Sequence, residues 1–389
     1  MAAQDRPPSS NKDLESIAQA RALASAARQA QSQLAELSQE RIDAIVTAMA
    51  DAVTAHAEGL ARLAVEETGY GVVADKVQKN LFSSRQVYEF IKPMKTVGVV
   101  NRIEDKKIVE IGEPFGVVAA IVPSTNPTST AIYKVLIALK ARCAIVVSPH
   151  PAAARCITRS VEIMYDAASR AGAPPGSIGW MTTVTLEGTQ ELMKHRDVAV
   201  ILATGGMGLV RAAYSSGKPA YGVGPGNAPC YIERSADLKK AVSDIMVGKT
   251  FDHGVLCSSP NSVVVDEEIS EESRRQFLAE GAYFLNAAEM EALANALVTP
   301  QRLPNPALVG KSAMDIASGS ASWYPKEHAH SSHRSPVSAA LIRCRSKSCA
   351  PYCPFTSLKI GARDVHAALR FCGTAAWATR CRSIRRMKM

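Results

Sequence analysis

The sequence predicts an α/β fold built on a parallel sheet, and three observations carry this. Residues 115–122, 143–147 and 198–203 are unbroken apolar runs, each of strand length. Residues 128–141, 152–170 and 186–195 lie between or beside them and carry apolar side chains at helical spacing. Polar and small residues collect directly after each run. A strand covered on both faces has no polar side to show, so it reads as a continuous apolar run rather than an alternating one. Such strands alternating with helices argue parallel pairing, and ligands of such sheets sit beyond the carboxyl ends of the strands.

Taken in order, residues 1–12 are rich in Pro and Ser and are expected to be disordered. Over 14–67, Leu34, Leu37, Ile42, Ile45, Met49 and Val53 recur at the helical period and predict two or three amphipathic helices. Another helix is expected over 75–91, then short β pieces at 96–101 and 107–111. The sheet pattern follows: strands 115–122, 143–147, 177–182 and 198–203, with helices 128–141, 152–170, 186–195 and 207–216. A strand at 231–233 and a helix over 237–249 lead to Cys257. Strand 262–265 and helices 271–282 and 287–297 begin a second α/β unit. These readings place a first domain at 13–245 and a second at 246–317.

Composition narrows the function classes. The 389 residues are 47% hydrophobic and 21% charged, as in ordinary globular proteins. No apolar run is long enough to span a bilayer, and the polar first thirty residues do not read as a signal peptide. A cytoplasmic protein with reduced cysteines and no membrane partner is therefore expected. The formal charge of +9 is unevenly placed. Residues 318–389 hold thirteen Lys and Arg against Glu327 and Asp364, a balance of +11, which leaves −2 for residues 1–317. Five of the nine cysteines also fall in that tail. Read directly, 318–389 is a basic, disordered extension able to meet anions.

Chemistry is concentrated in the turns. Cys257 follows Gly254 in a small-residue turn before strand 262–265; a thiolate is a strong nucleophile, and a nearby glycine lets substrate approach. A buried, inert cysteine is the alternative. After strand 115–122, Ser124, Thr125 and Asn126 stand between Pro123 and Pro127. The Asn126 amide can donate to a developing oxyanion, or it can simply cap the next helix. After strand 143–147, Ser148, His150 and Pro151 form a rigid polar turn suited to a ribose or to turn-making alone. Thr204, Gly205 and Gly206 open a helix whose N–H groups could face a phosphate or nicotinamide, or whose glycines serve only a tight turn. Residues 222–227, including Gly224, form a backbone-dominated loop, and no carboxylate occurs between Tyr221 and Tyr231. No histidine has metal-ligand spacing with Cys, Asp or Glu, so no metal is expected.

As a set, Glu113-Pro114-Phe115-Gly116, Pro123-Ser124-Thr125-Asn126-Pro127, Ser148-Pro149-His150-Pro151, Ala203-Thr204-Gly205-Gly206, Gly224-Pro225-Gly226-Asn227 and Gly254-Val255-Leu256-Cys257 resemble the coenzyme A-acylating branch of the aldehyde dehydrogenase superfamily. The resemblance runs over about residues 10–317. It implies a Rossmann-type cofactor domain binding NAD or NADP, beside an incomplete α/β catalytic domain. It assigns Cys257 as nucleophile and Asn126, with the Cys257 backbone N–H, as oxyanion donors. Ser124, Thr125, Ser148, His150, Pro151, Thr204, Gly205, Gly206 and Gly224 become the cofactor-binding set. Hydrolytic relatives carry a glutamate base in the 222–229 loop; its absence here implies transfer of the acyl group to coenzyme A. The lysine that many relatives use for the adenosine ribose is absent from 148–151, which leaves the nucleotide open. The similarity leans to sulfoacetaldehyde, with succinate semialdehyde and acetaldehyde as alternatives. Intact relatives are homo-oligomers, and nucleic acid is not an expected partner.

After Ala317 the family pattern stops. Read one base earlier, codons for 375–380 permit Gly-Gly-Met-Gly-His-Thr, those for 346–353 permit Glu-Lys-Leu-Cys-Pro-Val-Leu, and those for 323–329 permit Val-Pro-Lys-Gly-Thr-Arg. All three strings are family-like and in family order. The expectation is a frameshift near 316–322 and a tail without a defined fold. A catalytically inactive truncated relative with a basic tail is the alternative reading of function.

Overall fold

The structure is a computed structural model describing residues 11–226, 228–300, 305–320, 340–341, 355–358 and 382–383. It divides into two compact units, residues 11–68 with 73–224, and residues 69–72 with 225 onward.

The first unit opens with helices α1 (Asn11–Ala35), α2 (Gln39–Ala55) and α3 (Ala57–Thr68). α1 buries Ala20, Ala24, Ala27 and Leu34, the one-face spacing of an amphipathic helix. α2 starts where the Ser38 hydroxyl accepts from the Arg41 N–H, and it buries Ile42, Ile45, Met49 and Val53. α4 (Val73–Leu81) runs through a π-helical turn, Phe82–Gln86, into α5 (Val87–Ile91). Strands β1 (Gly98–Ile103) and β2 (Ile108–Gly112) form an antiparallel hairpin.

The sheet then forms from β3 (Val117–Val122), β4 (Ala144–Pro149), β5 (Ile178–Trp180), β6 (Val198–Thr204) and β7 (Ala220–Val223). Its order is β5-β4-β3-β6-β7, with every pairing parallel. The intervening helices are α6 (Pro127–Lys140), α7 (Ala154–Arg170), α8 (Leu186–Lys194) and α9 (Met207–Tyr214). Every residue of β3 and β4 is buried, which is why their sequence runs apolar without alternation. The chain goes from β3 outward to β4 and β5, then returns to β6 on the other side of β3. The strand order therefore reverses between β3 and β6. There Lys134 of α6, 1% exposed, donates from Nζ to the carbonyls of Ile121 and Leu202, each at 2.8 Å. Its ammonium thus joins adjacent strands at their carboxyl ends.

The second unit holds β8 (Ala228–Ile232), α10 (Leu238–Thr250), β9 (Pro260–Asp266), α11 (Ser270–Ala279), β10 (Tyr283–Phe284), α12 (Ala287–Leu297) and α13 (Ala313–Ser320). Ile232, Val242, Ile245, Val263, Val265 and Phe277 make its core. The division falls between Gly224 and Pro225, earlier than the expected boundary at 245. The physical reason is that α10 buries Ala241, Val242 and Ile245 against β9 and α11, as a β8-α10-β9 crossover. Residues 69–72, expected within the first domain, also belong to this unit.

Two further expectations change. Residues 220–223, read in part as loop, form edge strand β7, which among the described residues pairs only with β6 and has no apolar run to announce it. Asn11 and Lys12, read as disordered, begin α1. Within 318–389 the structure describes three short strands, β11 (Ala340–Leu341), β12 (Phe355–Leu358) and β13 (Arg382–Ser383). They pair in parallel with β10, β9 and β8. Such pairing along strand edges uses backbone groups and needs no side-chain pattern. The rest of the tail, and residues 1–10, lie outside the described residues.

Candidate active site

The turns singled out in the first unit share one end of one sheet. Ser124, Thr125 and Asn126 follow β3, His150 and Pro151 follow β4, Gly205 and Gly206 follow β6, Gly224 follows β7, and Thr204 ends β6. Parallel pairing puts all of these at the carboxyl edge, on both sides of the reversal between β3 and β6. Ser148 differs from the rest. It is 1% exposed, and its hydroxyl bonds that of Thr189 at 2.9 Å, so it faces α8 rather than the edge. His150 is exposed, and its Nδ1 accepts from the Ala152 N–H, capping the short turn Pro151–Ala153.

The two glycines after β6 have different reasons. A Cβ on Gly205 would meet Leu209 Cδ2 at 2.6 Å, so packing excludes a side chain there. A Cβ on Gly206 would meet nothing within 4 Å. Gly206 is the N-cap of α9 and supplies no side-chain cap. The first N–H groups of a helix need acceptors, and an open, uncapped N-terminus can receive an anionic or carbonyl ligand. The open, uncapped start of α9 therefore fits a polar group of a dinucleotide.

Asn126 precedes α6, whose first residue is Pro127. Its side chain does not cap that helix. Its Oδ1 instead accepts from Lys79 Nζ at 2.7 Å. The helix-capping alternative is thereby set aside, and the amide NH2 is directed away from the lysine.

In the second unit Cys257 lies between α10 and β9 and is exposed. Among the described cysteines, Cys143 and Cys156 are buried and Cys230 is partly so. Burial pushes the thiols of Cys143 and Cys156 upward, which keeps them protonated and unreactive. Exposure leaves the Cys257 thiol accessible.

The turn before Cys257 is unusual. Asp252, His253 and Gly254 all have positive φ, at 49°, 51° and 75°. For Asp and His this region is sparsely populated and must be held by the surroundings. The Asp252 carboxylate is fully buried and accepts from the Val72 N–H at 2.7 Å. Gly71 (φ 74°) passes so close that a Cβ would lie 1.8 Å from Asp252 Oδ1. The Gly71 N–H donates to the Gly310 carbonyl at 2.9 Å, and Lys311 Nζ donates to the Gly69 carbonyl at 3.1 Å. Segment 69–72 thus straps the cysteine turn. Gly226 supports the turn from another side, since a Cβ there would lie 1.7 Å from the Cys257 carbonyl oxygen. Asn227 lies outside the described residues.

Sequence reasoning missed Lys79, Asp252, Gly71 and the steric role of Gly226. Only the helical spacing of Lys76, Lys79 and Asn80 offered a local signal. The others depend on contacts between distant segments.

Among the described residues no helix is long and apolar enough to cross a membrane. The family model described as "Aldehyde dehydrogenase family" matches residues 10–290. The bifunctional aldehyde-alcohol dehydrogenase AdhE of Escherichia coli K12 is 44% identical over 301 residues, 77% of this chain and 34% of that protein. The chain thus spans about a third of that relative's length. The acetylating succinate-semialdehyde dehydrogenase of Clostridium kluyveri is 39% identical over 75% of this chain and 64% of its own. The sulfoacetaldehyde dehydrogenase of an Acholeplasma species is also 39% identical, over 75% of this chain and 61% of its own. The crystal structure of an acetylating aldehyde dehydrogenase from Geobacillus thermoglucosidasius superimposes with a TM-score of 0.83 at 46% identity, covering 89% of this chain and 76% of that one.

Proposed function

The chain belongs to the aldehyde dehydrogenase family, and from that premise we propose that it oxidises a short-chain aldehyde to an acyl-coenzyme A, with NAD or NADP as hydride acceptor. The observation that carries the acylating assignment is the loop from Tyr221 to Tyr231, which contains no carboxylate. Relatives named for acetylating chemistry support it.

The Cys257 thiolate attacks the aldehyde carbon, forming a C–S bond and a tetrahedral oxyanion. The Asn126 amide and the Cys257 backbone N–H hold that charge as it develops. A bound nicotinamide would supply the hydride acceptor for the same carbon. Thr204, Gly205 and Gly206 would hold the dinucleotide with Ser124, Thr125, His150, Pro151 and Gly224. A thioester then remains on Cys257. No carboxylate in the loop can deprotonate water, so the thioester persists until the coenzyme A thiolate attacks it. Acyl-coenzyme A leaves and the Cys257 thiolate returns.

Sulfoacetaldehyde is the favoured aldehyde, with succinate semialdehyde and acetaldehyde next. All three are small, and the first two carry a terminal anion. The test is nucleotide reduction by the purified chain, with each aldehyde, with and without coenzyme A. Acyl-coenzyme A should accumulate in step with reduced nucleotide, and Cys257→Ala should abolish both. Equal rates with water alone would refute the acylating assignment. No turnover in the wild type would favour the truncated, inactive alternative.

A further inference from the structure

Helix α4 presents Lys76, Lys79 and Asn80 at the three- and four-residue spacing of one helix face. All three are buried, at 2%, 8% and 0% exposure. Lys76 and Lys79 reach the turn that follows β3, and Asn80 reaches the first turn of α6. Lys76 Nζ lies 3.4 Å from the Thr125 carbonyl oxygen. Lys79 Nζ donates to Asn126 Oδ1 at 2.7 Å. Asn80 Oδ1 accepts from the Thr128 hydroxyl at 2.6 Å, and its Nδ2 donates to the Ala57 carbonyl at 3.0 Å, anchoring the clamp to α3. One helix face therefore grips residues 125, 126 and 128.

Burying two ammonium groups is costly, and a helix facing apolar core would hold Leu or Met there instead. The chemistry of the grip explains what the lysine offers. An ammonium has three donors and no acceptor, so only the amide oxygen of Asn126 can face Lys79. The flip of the amide is thereby fixed with its NH2 away from Lys79, where Nδ2 donates to the Thr125 hydroxyl at 3.4 Å. A charge-assisted bond to the oxygen also draws electron density from the amide nitrogen and makes its N–H groups stronger donors.

We propose that Lys79 is a positioning residue for the reaction: its ammonium fixes and polarises the Asn126 amide so that the NH2 is preset for the oxyanion. Lys79 acts through Asn126 and needs no contact with substrate. The proposal rests on the reading of Asn126 as an oxyanion donor.

The test uses the full chain and p-nitrophenyl acetate, whose attack by a thiolate passes through an oxyanion and releases p-nitrophenolate without any nucleotide. The quantity followed is the part of the release rate that Cys257→Ala removes. Lys79→Met should slow it on the order of ten- to a hundredfold, the size of a lost charge-assisted bond. Asn126→Ala should slow it at least as much, and the double variant should be no slower than Asn126→Ala alone. Lys79→Arg should recover part of the rate. Iodoacetamide alkylates Cys257 without forming an oxyanion, so its rate should match wild type in every Lys79 and Asn126 variant. A wild-type rate in Lys79→Met, or an undiminished Lys79 effect on the Asn126→Ala background, overturns the proposal while Asn126 keeps its role. If Asn126→Ala, or Cys257→Ala itself, changes nothing, the reading of the site falls and the proposal falls with it. Should melting show that Lys79→Met loses its fold, Lys79→Gln replaces it as a neutral donor. Its rate should lie between wild type and Asn126→Ala, and a wild-type rate would overturn the polarising role.

Discussion

Cys257 and Lys134 show how burial sets the chemistry of single residues. Exposure distinguishes Cys257 from the buried Cys143 and Cys156, so Cys257 should be the first of these three to react with iodoacetamide, as peptide mapping would show. Lys134 is the converse case. Burial pulls its amine down from an ordinary 10.5 to about 7, although two carbonyls accept from it. Between those values the unfolded chain binds a proton that the folded chain lacks. The contribution of Lys134 to stability should therefore rise with pH across about 7 to 10.5, by up to about 1.4 kcal/mol per pH unit, and be flat below that window, while above about 9 the buried Cys143 and Cys156 thiols contribute the opposite slope. Lys134→Met should remove the slope, as urea midpoints at pH 7 and pH 9 would show. At this scale the turn positions of Cys257 and Asn126 were legible because their neighbours are small residues and prolines. Lys79 and Lys134 were not, because a lysine at helical spacing reads as solvated until its acceptors are known.

The cysteine turn depends on two elements far apart in the chain. Removing the Asp252 carboxylate leaves the Val72 N–H without its acceptor and frees a turn held at positive φ. Asp252→Ala should cost about 1–3 kcal/mol of stability and lower turnover, while Asp252→Asn, which still accepts, should retain most of both. Gly71→Ala should be worse than Asp252→Asn, since its Cβ would collide with the Asp252 carboxylate at a left-handed position. Melting temperatures of the three variants test the order. Gly226→Ala would press on the Cys257 carbonyl, and its turnover should fall more than its melting temperature. The strands and helices themselves were legible from period and length. The strap was not, because its Gly-Tyr-Gly sequence reads as an ordinary turn, and its partners lie about 180 and 240 residues away. Edge strand β7 was hidden for a different reason: a half-exposed strand with a central glycine shows no apolar run.

At the scale of the whole molecule, one parallel sheet carries the polar turns at its carboxyl edge, and the second unit carries the exposed cysteine. The first sheet was readable from its apolar runs. The division at 224/225 was not, because whether α10 faces the first or the second sheet is a packing fact. The basic tail remains a question for the gene. Sequencing across codons 305–389 should recover a one-base change that restores the family-like strings, and an unchanged frame would contradict the frameshift reading. The missing loop carboxylate bears on the central claim, and one assay reaches it. With aldehyde and nucleotide supplied, product is identified with and without coenzyme A. The account predicts acyl-coenzyme A in proportion to reduced nucleotide and little free acid when coenzyme A is withheld. Free acid formed at the same rate without coenzyme A would contradict it.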